Sequence, residues 1–172
     1  MMKNLDRVII GTVQFGMPYG ISNTLGQPSS KEVNDILIYL NNHGVNNFDT
    51  APAYGDAESR LAAYSHSDED VRVISKIDVY GKQTEASLIK KLHNTIETFG
   101  SHLNGLYFHN ADDVFSNIHP NLMKEILTLK SIGKIKKLGI SLYDEVQLTL
   151  CLDIFEPDMI QIPFNIYDQR FK

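Results

Sequence analysis

Short apolar runs alternate along the chain with longer segments whose apolar residues recur every three or four positions. The short runs are Val8 to Thr12, Val45 to Phe48, Val71 to Ser75, Gly105 to Phe108, Ile135 to Ile140 and Met159 to Ile162. Most carry apolar side chains on both faces of the pleat, the pattern of parallel strands covered on both sides. Val33, Ile36, Leu37 and Leu40 follow Ser29 at helical spacing. Ser29 and Glu32 are placed as a capping box, and Gly44 lies where that helix would end. Further helices are predicted from about Ala57 to Tyr64 and from near Thr84 through Leu88, Leu92, Ile96 and Phe99 to Gly100. Two more follow Pro120, stopping at Gly133, and cover Asp144 to Leu152. Proline suits a first helical turn, where its missing N–H is not needed.

The pattern is therefore a βα repeat of six strands with five helices between them. Met17 to Ser30 reads as a long loop after the first strand, and Ser65 to Asp70 as a solvated polar turn. Repeated βα units build either an open doubly wound sheet or a (β/α)8 barrel. The dinucleotide fingerprint of the open sheet is missing. Gly11-Thr-Val-Gln-Phe-Gly16 stands in its place, with glycines that flank an apolar strand end rather than open a helix. Periodicity leaves the choice between the two architectures open.

Composition narrows the functional classes. At 172 residues, with 42% apolar and 22% charged residues, the chain reads as one globular domain spanning 1–172. No apolar stretch approaches the roughly 18 residues a membrane span needs. The opening Met-Met-Lys-Asn-Leu-Asp-Arg lacks the apolar core and cleavage site of a secretory leader. A net charge of −5 argues against a nucleic-acid partner. The single cysteine, Cys151, permits no internal disulfide and fits a reducing, cytoplasmic setting.

In a parallel barrel, chemistry collects at the C-terminal ends of the strands. Those ends carry Asp49 and Tyr54 after the second strand, Lys76 after the third and His109 after the fourth. Ser141 follows the fifth and Gln161 the sixth. A phenol has an ordinary pKa of about 10, and a nearby ammonium lowers it. With Asp49 holding Lys76 and His109 donating to a substrate carbonyl, Tyr54 becomes a general acid for an alkoxide formed by hydride arrival. Ser141 and Gln161 suit the hydrogen bonds of a carboxamide such as that of nicotinamide. Taken singly, each of these residues has a plain structural use. Their joint occurrence at consecutive strand ends carries the argument.

The segment Phe48-Asp49-Thr50-Ala51-Pro52-Ala53-Tyr54-Gly55, together with Ser75-Lys76 and Phe108-His109-Asn110, resembles the signature of the aldo-keto reductases. Gly11-Thr12-Val13-Gln14-Phe15-Gly16 and the stretch from Gln161 to Arg170 are similar to that family as well. The resemblance implies a (β/α)8 TIM barrel that uses NADPH, without metal, to reduce aldehydes and ketones. It implies a catalytic tetrad of Asp49, Tyr54, Lys76 and His109, with Ser141 and Gln161 on the cofactor amide. Leu142 stands where the family usually has asparagine. Between Gly55 and Ser59, Glu58 is kept and little else.

Family barrels run to about 250 residues. The resemblance thus implies an incomplete barrel of about six βα units. Strands 7 and 8 and the loops that grip the cofactor phosphates are absent. An open barrel exposes two strand edges, so self-association through them is expected. Three readings follow for the chain: part of a working carbonyl reductase, a remnant that has lost cofactor binding, or an interaction module completed by a second chain. A non-redox barrel such as an isomerase would want a phosphate site after strands 7 and 8.

Overall fold

The computed structural model describes residues 5–79, 81, 83–116 and 119–172. Met1 to Asn4 lie outside the described residues. The order is β1 (Ile9–Gly11), α1 (Val13–Gly16), α2 (Ser30–Asn42), β2 (Asn47–Asp49), α3 (Ala57–Ser65), β3 (Arg72–Ile77) and α4 (Glu85–Phe99). A 3₁₀ turn, Gly100–His102, leads to β4 (Leu103–Phe108), α5 (Ala111–Ser116), α6 (Pro120–Ser131), β5 (Leu138–Ser141), α7 (Glu145–Leu152) and β6 (Met159–Gln161). The strands follow one another in sheet order, β1 to β6. The chain divides into two compact units, one running to Ser75 and including Thr95–Asn104, the other comprising Lys76–Asn94 and Gly105–Lys172.

In the first unit β1, β2 and β3 pair in parallel, with Gly11 opposite Asp49 and Asn47 opposite Arg72. α2 starts at the capping box anticipated from the sequence. Glu32 N–H donates to Ser29 Oγ at 3.3 Å, and Ser29 N–H donates to Glu32 Oε2 at 2.8 Å. Its buried stripe is Val33 and Leu37, while Ile36 faces outward. α3 packs on α1 and α2, and Phe48, Leu61 and Val73 are buried with Leu37 in the unit's core. The long loop after α1 is fastened by Arg60, which donates to the Pro28 carbonyl at 2.6 Å and to Asp56 at 2.8 Å.

In the second unit β4, β5 and β6 pair in parallel, and Leu88, Leu92, Leu106, Ile126 and Leu138 form the buried apolar set. Glu85, the first residue of α4, accepts the Asn121 and Leu122 main-chain N–H groups at 2.6 and 3.0 Å. A carboxylate borrowed from another helix thus satisfies the free donors that open α6. Gln147 of α7 donates to Asp112 of α5 at 2.7 Å. β3, β4 and β5 are almost wholly buried, as continuous apolar strands require, whereas β1 and β6 are partly exposed.

The six strands and five helices of the sequence pattern are all present, with ends shifted by a few residues. Three further helical segments are added. α1 corrects the reading of Gly11 to Gly16 as a bare strand end, since Val13–Gly16 closes a helical turn. α5 and the 3₁₀ turn are too short for a helical period to show. Ser65 is fully buried and closes α3, so the turn that follows is solvated only beyond it.

Candidate functional site

The first unit carries Asp49 and Tyr54. Asp49 ends β2 and is 8% exposed. Its carbonyl accepts two hydrogen bonds from one residue, Thr12 N–H at 2.9 Å and Thr12 Oγ1 at 3.0 Å. Thr12 itself is fully buried. Tyr54 sits in the tight turn that leads into α3. Its N–H donates to the Ala51 carbonyl at 3.0 Å, and its carbonyl accepts Ala57 N–H at 3.1 Å. Gly55 completes that turn with φ +59°, a conformation glycine adopts without strain.

Ser75, fully buried on β3, donates to Glu58 Oε1 at 2.6 Å. Glu58 projects from the first turn of α3. The helix entered through the Tyr54 turn is thereby tied to the strand position just before Lys76. In the sequence Glu58 stood out only as the retained residue of a divergent segment.

The second unit carries the other four residues. Lys76 lies on β3 and is 3% exposed. Lysine is almost never buried to that degree without a partner. His109 follows β4, half-buried, and its N–H donates to the Ile77 carbonyl at 2.9 Å. Main-chain pairing therefore sets the imidazole-bearing residue beside the β3 segment that holds Lys76. Ser141 and Gln161 end β5 and β6 and are direct register partners. Leu142 N–H donates to the Gln161 carbonyl at 2.8 Å, which extends the ladder one step past Ser141. Gly139 lets the two strands approach, because a Cβ there would lie 2.5 Å from both the Met159 carbonyl and the Tyr107 ring.

These groups can be tested against a nicotinamide. A primary carboxamide needs one acceptor and one donor opposite it. The Ser141 hydroxyl and the Gln161 amide each offer both. Leu142 is fully buried and adds no polar group. The carboxamide end thus has a fitting donor set. Among the described residues no three His, Cys, Asp or Glu side chains are grouped to hold a metal ion. No helix among them is long and apolar enough to cross a membrane.

Residues 7–172 match the sequence model of the Aldo/keto reductase family. D-arabinose 1-dehydrogenase of Saccharomyces cerevisiae (strain ATCC 204508 / S288c) is 29% identical over 131 residues, which cover 68% of this chain and 38% of that protein. A solved structure described as an aldo-keto reductase from Pseudomona aeruginosa superimposes with a TM-score of 0.73 at 23% identity. It covers 94% of this chain and 64% of its own. A Bombyx mori aldo-keto reductase solved in complex with NADP gives a TM-score of 0.66 at 20% identity, over 92% of this chain and 54% of its own. The chain therefore spans about two fifths of the yeast relative and less than two thirds of these structures.

Proposed function

The chain belongs to the aldo/keto reductase family, with the fold of an incomplete (β/α)8 barrel, and we propose that it forms the catalytic part of an NADPH-dependent carbonyl reductase. One observation supports the reading: Asp49, Tyr54, Lys76 and His109, the positions that the family resemblance assigns to a tetrad, lie at or near the C-terminal ends of β2, β3 and β4. Residues 1–172 act as a single partial barrel domain in this reading. NADPH, when bound, supplies a hydride, and Ser141 and Gln161 hold its carboxamide. Tyr54 gives its phenolic proton to the carbonyl oxygen of an aldehyde or ketone. By the family resemblance, Lys76 is the ammonium that tunes the phenol and Asp49 the carboxylate that accompanies it. His109 donates a hydrogen bond that orients the carbonyl. The single, fully buried Cys151 suits a cytosolic setting.

A second reading has its own observation. On α7, Val146 and Leu150 are exposed one helical turn apart, and Phe164, Ile166 and Tyr167 beyond β6 are more than half exposed. Apolar groups in that number favour a covering partner, so completion by another chain, or self-association, is the alternative. Light scattering separates the two readings, since completion gives a discrete oligomer.

The experiment for the main reading joins the chain to the C-terminal βα units of a full-length relative and follows aldehyde-dependent NADPH oxidation. Turnover that falls by about 10²-fold or more in Lys76→Met supports it. Undiminished turnover in that variant removes the role given to the ammonium.

A further inference from the structure

The tetrad residues of the first unit, Asp49 and Tyr54, hang on a single turn of helix. Thr12 precedes α1 and Gly16 ends it, four residues apart and so on one side of the same turn. Thr12 spends both its N–H and its hydroxyl on the Asp49 carbonyl. Its side chain makes no capping hydrogen bond to α1, although threonine in that position ordinarily does, and Phe15 N–H goes to the Thr12 carbonyl instead. Gly16, at the other end of the turn, lies against the main chain of the Tyr54 turn. A Cβ on Gly16 would run into the Tyr54 carbonyl oxygen and stand 2.5 Å from Ala57 N. The contact is reciprocal, because a Cβ on Gly55 would run into the Gly16 carbonyl.

Gly16 has no positive φ, so glycine is required there for space. Gly55 needs both the space and its left-handed conformation. Gly11, at the start of the same segment, has nothing within 4 Å of its would-be Cβ and no positive φ. The two glycines that looked equivalent in the sequence are therefore physically different.

We propose that the Thr12–Gly16 turn is a positioning brace that sets the separation of Asp49 and Tyr54, with Gly16 as the positioning residue for the Tyr54 phenol. This rests on the reading of Tyr54 as proton donor and names what holds it. Backbone-to-backbone packing is well suited to the task, because neither side has a rotamer through which to relax.

The test uses the 172-residue chain labelled with ¹³Cζ-tyrosine, with the Tyr54 resonance assigned through Tyr54→Phe. Gly16→Ala is expected to displace the Tyr54 resonance, while Tyr39 and Tyr143 keep theirs. Gly11→Ala is expected to leave all three in place. Thr12→Val, which keeps the shape of the side chain and loses its hydroxyl, gives a smaller Tyr54 displacement that Thr12→Ser reverses. This second pair decides the matter should Gly16→Ala not fold. An unmoved Tyr54 resonance in folded Gly16→Ala, or in Thr12→Val where the first does not fold, overturns the brace. The pH titration of the same resonance in the parent chain judges the other premise. A midpoint at the ordinary phenol value of about 10 counts against Tyr54 as a tuned acid. The displacement by Gly16→Ala would still report the brace.

Discussion

Asp158 and Leu138 are joined by two hydrogen bonds running in opposite directions. Asp158 N–H donates to the Leu138 carbonyl at 2.8 Å, and Leu138 N–H donates to Asp158 Oδ2 at 2.7 Å. The same oxygen takes the Lys130 ammonium at 2.6 Å. This junction starts the β5–β6 ladder that ends at the Ser141–Gln161 pair, so it sets the register of both proposed cofactor contacts. The Leu138 N–H, followed by Lys130, holds the Asp158 carboxyl below its usual range.

A carboxyl depressed in the folded state adds stability above its unfolded pKa and loses that stability as pH falls through the folded value. Asp158→Asn should therefore cost about 1 kcal/mol at neutral pH. The cost should shrink as pH drops below about 4, the unfolded value for aspartate. Urea midpoints of the parent and variant measured from pH 7 to pH 3 check this. A gap between them that stays constant across that range contradicts it.

Ser29→Ala removes one half of the capping box at the start of α2 and should cost about 0.5–2 kcal/mol. Ser29→Asp should recover most of the loss, because an aspartate accepts the same N–H and faces the positive end of the helix. Thermal unfolding of the three proteins gives the comparison. Equal melting temperatures for the parent and Ser29→Ala would show that the box adds nothing.

Cys151 is fully buried in α7, and burial pushes its thiol up from the ordinary value. The thiolate is the reactive form, so disulfide reagents at pH 8 should label the native chain far more slowly than the urea-unfolded chain. Labelling across a urea series should track the loss of helical signal. Rapid labelling of the native chain would mean that α7 opens locally.

Much of this was legible in the sequence. The six strands showed because apolar runs buried on both faces have few other uses. The Ser29–Glu32 cap showed because its chemistry is local. The places of Asp49, Tyr54, Lys76 and His109 at or near strand ends could be read because strand ends can be located. What stayed hidden depends on contacts between distant residues. Thr12 donates its hydroxyl to a carbonyl 37 residues away. Gly16 is confined by the main chain at Tyr54 and Ala57, and Glu85 caps a helix 36 residues further along. None of these leaves a periodic trace. α5, at six residues, is shorter than two helical turns and has no period to read.

The most direct test of the account is the proton itself. The chain, joined to the C-terminal βα units of a full-length relative, should be compared with its Tyr54→Phe variant for NADPH binding and for aldehyde-dependent NADPH oxidation. The account predicts that turnover falls by about 10²- to 10⁴-fold while the affinity for NADPH is kept. A Tyr54→Phe protein that turns over like its parent would contradict it.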